Sequence, residues 1–149
     1  MPTGECAFCR IAAGLVPAEL VFADDAFVAF LDHRPLFHGH CLLLPRAHHE
    51  TLADLPPHLI GPLFERVQRL AGAVERALAA DGSFVAVNNR VSQSVPHLHV
   101  HVVPRRKGDG LRGFFWPRTR YRDAAHAAET ADRIRSALAG AGSDRSGPV

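Results

Sequence analysis

The chain has 149 residues, enough for one domain with a sizeable core, and 47% hydrophobic against 21% charged residues is the balance of a soluble globular protein. A formal net charge of +2 is too small for a nucleic-acid footprint, and no apolar run approaches the roughly 20 residues of a membrane span. Residues 1–5 carry neither the basic region nor the apolar core of a secretory signal, and three cysteines (Cys6, Cys9, Cys41) are an odd count, so a reducing cytoplasm is the expected home.

In chain order, Cys9 to Ala13 reads as a short helical turn stopped by Gly14 and Pro17. Glu19–Ala23 and Phe27–Leu31 are apolar runs around Asp24-Asp25, the pattern of a hairpin. His40–Leu44 reads as a buried strand that follows Gly39 and ends at Pro45. Asp54 is the expected cap of a helix with Pro56 and Pro57 in its first turn. Leu59/Ile60, Leu63, Val67, Leu70, Val74 and Leu78 then recur at helical spacing and give a core-facing stripe, until Asp81-Gly82 ends it. Phe84–Val87 is a further strand, and Asn88–Ser92 is a turn. Arg105–Gly110 is a basic loop, residues 122–139 read as a helix, and Gly140–Val149 as a disordered tail. One domain over residues 1–139 follows, of class α+β, because strands joined by tight turns make an antiparallel sheet.

Between the turn and the basic loop stands His97-Leu98-His99-Val100-His101. Strict alternation marks a strand with three imidazoles on one face and Leu98, Val100 and Val102 on the other. At about 3.3 Å per residue, the outer two backbones are roughly 13 Å apart, too far for all three rings to reach one metal ion. The three are therefore expected to divide labour. A neutral central imidazole can attack phosphorus or acyl carbon while its neighbours orient it and stabilise developing charge.

Gln93-Ser94-Val95-Pro96-His97 through Pro104 resembles the signature of the histidine triad (HIT) family of nucleotide hydrolases and transferases. Cys6-Ala7-Phe8-Cys9-Arg10-Ile11, Phe30-Leu31-Asp32, Gly39-His40 and Arg46-Ala47-His48 fall where bacterial members carry similar motifs, so the likeness covers residues 5–118. It implies a five-stranded antiparallel sheet with two main helices, a homodimer, and purine nucleotides cleaved at the α-phosphate through a nucleotidyl-histidine intermediate without a catalytic cofactor. By the same resemblance His99 is the nucleophile, with Nδ1–H held by the His97 carbonyl. His101 contacts phosphate, His40 joins the constellation, and Ser94 bonds near the leaving group. Gln93 and Asn88 add donors, and Asp32 accepts from the ribose. The Asn88–Gln93 turn is shorter than in many relatives and lacks glycine, which leaves open whether Asn88 or Asn89 reaches phosphate and whether Arg90 replaces a contact.

Cys6-x-x-Cys9 alone fits metal binding or redox work. The resemblance implies a structural zinc ion on Cys6, Cys9, His48 and His97, with His49 as the nearest alternative ligand; two thiolates and two imidazoles close a tetrahedral shell. Cys41 reads as a small core residue. Trp116 either shapes the nucleotide pocket or packs the C-terminal segment, and Arg105-Arg106-Lys107 either attracts polyphosphate or is a solvated face. Against an enzyme releasing nucleoside monophosphate from a phosphoramidate or dinucleoside polyphosphate stands a nucleotide-binding signalling or interaction protein with residual catalysis. No nucleic-acid or membrane partner is expected.

Overall fold

A computed structural model describes residues 6–111 and 119–143. Five strands form one antiparallel sheet in the order β1-β2-β3-β5-β4: β1 Leu20–Ala23, β2 Phe27–Leu31, β3 Cys41–Pro45, β4 Gly82–Val87 and β5 Val100–Arg105. This is the expected α+β class with a five-stranded sheet. Helices α1 (Ala7–Ala12) and α2 (Pro57–Leu78) belong with the sheet to a compact unit, Met1–Gly110. Helix α3 (Ala124–Ser143) belongs to a second unit, Leu111–Val149.

Both faces of the sheet are buried, and period two sorts their residues. Phe27, Ala29, Cys41, Leu43, Leu98, Val100 and Val102 pack in one cluster with Leu63, Val67 and Val74 of α2. Val28, Phe30, Leu42 and Leu44 pack in the other with Cys6, Phe8 and Ala12 of the α1 segment. The helical stripe is thus core, as its spacing implied, except that Ile60 stays 39% exposed.

The β1–β2 hairpin turns where expected. Asp24 Oδ1 accepts the N–H groups of Ala26 and Phe27, and its Oδ2 accepts Arg66 Nε at 2.6 Å, which ties the turn to α2. Gly39 precedes β3 at φ +97°, and a Cβ there would lie 2.1 Å from Leu78 Cδ1, so only glycine fits.

Three expectations are corrected. Asp54 does not cap α2, which starts after Pro56; it closes a capping box with Thr51 around a 3-10 turn, Leu52–Asp54. The backbone there cannot feed directly into a helix that opens on two prolines. Helix α3 does not stop at 139 but continues to Ser143, and residues 144–149 of the expected tail lie outside the described residues. Each of the two glycines, Gly140 and Gly142, costs a helix about 1 kcal/mol, which an alanine-rich run absorbs. Finally, the ladder of β5 begins at Val100, so His97, at the end of a bend, and His99 precede it. Phe114, Phe115 and Trp116 lie outside the described residues.

Candidate active site and metal cluster

Pairing of Leu42 with His101 sets the register of β5 on β3 and puts the imidazoles on the α1 side of the sheet. The alternation holds: Leu98, Val100 and Val102 are fully buried against α2. The imidazoles do not face outward, however. His97 is 0% and His99 2% exposed, because α1 covers them and Phe8 meets both rings edge-on.

Hydrogen bonds assign the proton on each ring. The His97 carbonyl accepts from His99 Nδ1–H at 2.6 Å, which leaves the His99 Nε2 lone pair free. Leu36 N–H donates to His40 Nδ1 at 3.1 Å, so His40 carries its proton on Nε2 and donates it to His101 Nδ1 at 2.9 Å. His101 must then hold its own proton on Nε2, a buried atom with no partner among the described residues. Neighbouring rings 4.9 Å apart thus present opposite chemistry, a lone pair on His99 and a donor on His101. Burial holds all three protonation equilibria low. It depresses His99, with the His97 carbonyl and Asp32 opposing; it depresses His40, with Asp32 opposing; and it takes His101 down to about 4, helped by His99 and His40. The rings are neutral near pH 7, as a nucleophile requires.

His99 and His101 open on a cavity of about 860 Å³ with Asp32 and Ser94 in its lining. Phe8, Ile11, Phe30, Leu42 and Val95 make its walls apolar. An apolar slot with a few convergent polar groups is the usual form of a small-molecule site. Asp32 Oδ1 accepts Arg34 N–H at 2.9 Å, and Oδ2 lies 3.8 Å from His40 Nδ1.

Asp32, His40 and His101 have donor atoms within 4.8 Å of one another, yet they do not suit a metal. Both His40 nitrogens are engaged, and Asp32 and Leu36 face one while His101 faces the other. The group is a relay, not a chelate.

Asn88 and Gln93 bond to backbone groups of their own loop and, through Gln93, of residue 50. Asn88 Nδ2 donates to the Ser92 carbonyl, Gln93 Oε1 accepts Arg90 N–H, and Gln93 Nε2 donates to the Glu50 carbonyl. Asn89 Oδ1 accepts Leu52 N–H. These bonds hold Arg90 at φ 69° and Ser92 at φ 58°, left-handed conformations that glycine would take without help. Ser94 follows directly and lines the cavity; Asn88, Asn89, Arg90 and Gln93 do not.

The second constellation joins residues 91 positions apart. Cys6, Cys9, His48 and His97 offer four ligand atoms within 4.8 Å of one another. Cys6 Sγ–His97 Nδ1 is 3.5 Å, Cys9 Sγ–His97 Nδ1 3.4 Å and Cys9 Sγ–His48 Nδ1 3.3 Å. A tetrahedral zinc site has sulfur–nitrogen edges of about 3.5 Å, so the set fits a tetrahedral ion. His97 Nε2 donates to the Pro45 carbonyl at 2.8 Å, the outer bond that orients a ligating imidazole. Burial, and then Cys6, push the Cys9 thiol up to about 11. His48, not His49, is the cluster's second imidazole; the His49 carbonyl accepts Leu98 N–H.

Other polar residues turn out to be structural. Arg105 grips Asp109 through two bonds, and Arg106 donates to the carbonyls of Leu78 and Ala79 at the C-terminus of α2. Cys41 is 2% exposed, and burial raises its thiol to about 11, in keeping with a core role. Among the described residues no helix is long and apolar enough to cross a membrane.

What sequence reading missed was Phe8, an apolar residue with no chemical signature. Its only signal was its place inside Cys6-x-x-Cys9, which carries it onto whatever strand the cysteines grip.

Comparison with known proteins shows the family. The HIT domain family matches residues 14–108. An uncharacterised HIT-like protein of Mycobacterium tuberculosis is 40% identical over 108 residues, 71% of this chain and 75% of that protein. Adenylylsulfatase HINT3 of Arabidopsis thaliana is 34% identical over 109 residues, 72% of this chain and 55% of that protein. A zinc-bound histidine triad family protein of Mycobacterium smegmatis superposes with a TM-score of 0.70 at 37% identity, covering 96% of this chain and 99% of that one. With a family match over most of its length and this fold, the chain belongs to the HIT family.

Proposed function

We propose that this protein is a hydrolase that cleaves a purine nucleoside phosphoramidate or dinucleoside polyphosphate at the α-phosphate and releases a nucleoside monophosphate. The observation that carries the reading is the pair of opposed rings at the cavity floor: His99 with Nδ1–H fixed and Nε2 free, and His101 with a donor on Nε2. A relative named adenylylsulfatase supports chemistry at an adenylyl α-phosphate.

In this reading the His99 Nε2 lone pair attacks phosphorus and a P–N bond forms. The bond from phosphorus to the leaving amine or phosphate breaks, and the leaving group departs with the electron pair and takes up a proton from solvent. Water then attacks phosphorus and gives up a proton to solvent, the P–N bond breaks, and its electrons return to His99. His101 Nε2–H bonds a non-bridging oxygen where charge develops. Ser94 bonds near the leaving group, Asp32 accepts from the ribose hydroxyls, and the apolar walls hold the base. Asn88 and Gln93 serve by shaping the loop that presents Ser94.

The proposal includes a structural zinc ion on Cys6, Cys9, His48 and His97, supported by the fit of the donor set and by the zinc-bound relative. Such an ion makes thiolates of both sulfurs and fastens the N-terminal segment to the sheet. A homodimer is part of the proposal too, as the family resemblance implies. Three free thiols suit a reducing cytoplasm.

The test is rapid quenching with an adenosine phosphoramidate followed by mass spectrometry of intact and digested protein. A nucleotidyl adduct on His99, absent in His99→Ala, is expected. An adduct on another residue, or full turnover by His99→Ala, refutes the mechanism. Tight mononucleotide binding without turnover on any substrate leaves the binding-protein function in its place.

A further inference from the structure

The His99 ring is held by more than its hydrogen bond. Phe8 stands perpendicular to it, with ring centroids 5.0 Å apart and planes at 88°. The same phenyl ring touches Phe30 at 5.5 Å and His97 at 6.1 Å and is only 8% exposed. One bond through Nδ1 leaves an imidazole free to rock about that bond; an edge-on ring removes the freedom and fixes where Nε2 points.

Phe8 itself has little local support. Helix α1 is six residues long with no side-chain cap, far below the length at which a helix is stable alone. Its C-terminal end is fastened by Arg46, which donates to the Ala12 carbonyl and to that of Asp24. Its N-terminal end packs on the sheet and, among the described residues, is tied by side-chain contacts of Cys6 and Cys9, on either side of Phe8, to His97 and His48. His97 is also the residue whose carbonyl holds His99. The cluster therefore reaches the reacting ring by two short arms, the His97 backbone and the Phe8 side chain.

We propose that Phe8 is a positioning residue for the His99 imidazole, and that the thiol–imidazole cluster acts on the reaction by holding Phe8 in place. The inference rests on His99 being the nucleophile. It goes beyond a staple for the fold, because one of the two arms by which the cluster reaches the chemistry is a side chain that binds no metal.

The experiment uses zinc-loaded full-length protein, its chelator-treated form, and the same pair made with Phe8→Leu. Single-turnover adduct formation is followed by quenched mass spectrometry at saturating adenosine phosphoramidate, so that weaker binding does not enter. Zinc content is measured on each sample, and imidazole 15N spectra report the His99 ring. With zinc retained, Phe8→Leu is expected to slow adduct formation about tenfold and to broaden the His99 nitrogen signals, since small misplacement of a reacting group is costly. Chelation is expected to slow the wild-type protein about tenfold but Phe8→Leu by a clearly smaller factor, because the two perturbations share the Phe8 contact and only the His97 arm is left to lose. Phe8→Tyr, which keeps the ring, restores the wild-type rate to within about threefold and the sharp nitrogen signals. An adduct rate for zinc-loaded Phe8→Leu within twofold of wild type overturns the proposal. So does equal slowing of Phe8→Leu and wild type by chelation, or a Phe8→Tyr as slow as Phe8→Leu. If chelated protein unfolds, the zinc-loaded variants and their spectra decide alone. Absence of any His99 adduct in wild type instead refutes the parent mechanism and is read from the same samples.

Discussion

Replacing His40 tests the relay behind His101 without touching the cavity. His40 takes Leu36 N–H on Nδ1 and gives Nε2–H to His101 Nδ1, and this alone obliges His101 to present a proton on Nε2. A neutral hydrogen bond of this kind is worth about 1–1.5 kcal/mol net, a bias of roughly five- to tenfold between the two His101 tautomers. His40→Leu removes that bias, and kcat is expected to fall about tenfold with KM little changed, because the donor acts on charge that develops in the transition state. His101→Ala removes the donor outright and is expected to cost about 10²–10³ in kcat. His40→Gln keeps both links, since its amide oxygen accepts Leu36 N–H and its NH₂ donates to His101, so it is expected to run within about threefold of wild type. Steady-state kinetics at pH 7, where burial keeps both rings neutral, give the three rates, and imidazole 15N shifts give the tautomers. A His40→Leu enzyme as fast as wild type, or a His40→Gln enzyme as slow as His40→Leu, refutes the argument.

Three further outcomes are expected. Stripping the cluster with a chelator lowers Tm: a ligand at 100 times its Kd contributes about 2.7 kcal/mol, or roughly 5–10 °C for a chain of this size, and calorimetry with and without added zinc reads it. Asp24→Asn is expected to cost about 1–2 kcal/mol in urea unfolding at pH 7, from its bonds to Ala26, Phe27 and Arg66. Burial acts to raise the Asp24 carboxyl, but the bonds from Phe27, Arg66 and Ala26 hold it below the usual range, so its stabilisation is present above about pH 4 and is lost as pH falls further; the gap between wild type and variant must narrow on acidification. Leu63→Ala, at a fully buried site between α2 and the sheet, is expected to destabilise by about 2–5 kcal/mol, and a loss under 1 kcal/mol contradicts the packing described.

The sheet was legible because its residues repeat with period two and its turns carry Asp24-Asp25 and Gly39. The two sites were legible in part. Spacing alone argued that three alternating histidines cannot share one ion, and His97 indeed turns to the cysteines while His99 and His101 turn to the cavity. Burial of His97 and His99 was not legible, because nothing in the pentad says that a segment 91 residues away lies over it. Nor was the fate of Gln93 and Asn88, whose amides suit phosphate as well as they suit a backbone carbonyl; the choice depends on how a glycine-free turn must be held. Arg106 looked like a surface charge, and only the path of the chain past the end of α2 makes it a cap.

The late start of β5 is the clearest case of backbone diverted from fold to site. His97 and His99 follow the strand's alternation yet do not join its ladder. Their backbone groups are used elsewhere: His97 N–H donates to Val95, Leu98 N–H to the His49 carbonyl at 2.6 Å, and the His97 carbonyl takes the His99 ring. An i, i+2 bond from a side chain to a backbone carbonyl needs extended chain whose carbonyl has no better partner. A fully paired strand offers the extension but engages the carbonyl; a loop leaves the carbonyl free but lets the chain wander. Here the residues before the ladder leave a bend outside the sheet and are locked from one side by His49 and from the other by the cysteine cluster. A one-residue slip of β5 on β3 would exchange Leu98, Val100 and Val102 for the imidazoles in the core against α2, a loss of several kcal/mol of apolar burial. The hydrophobic face of the strand therefore fixes the register on which the chemistry of the other face depends.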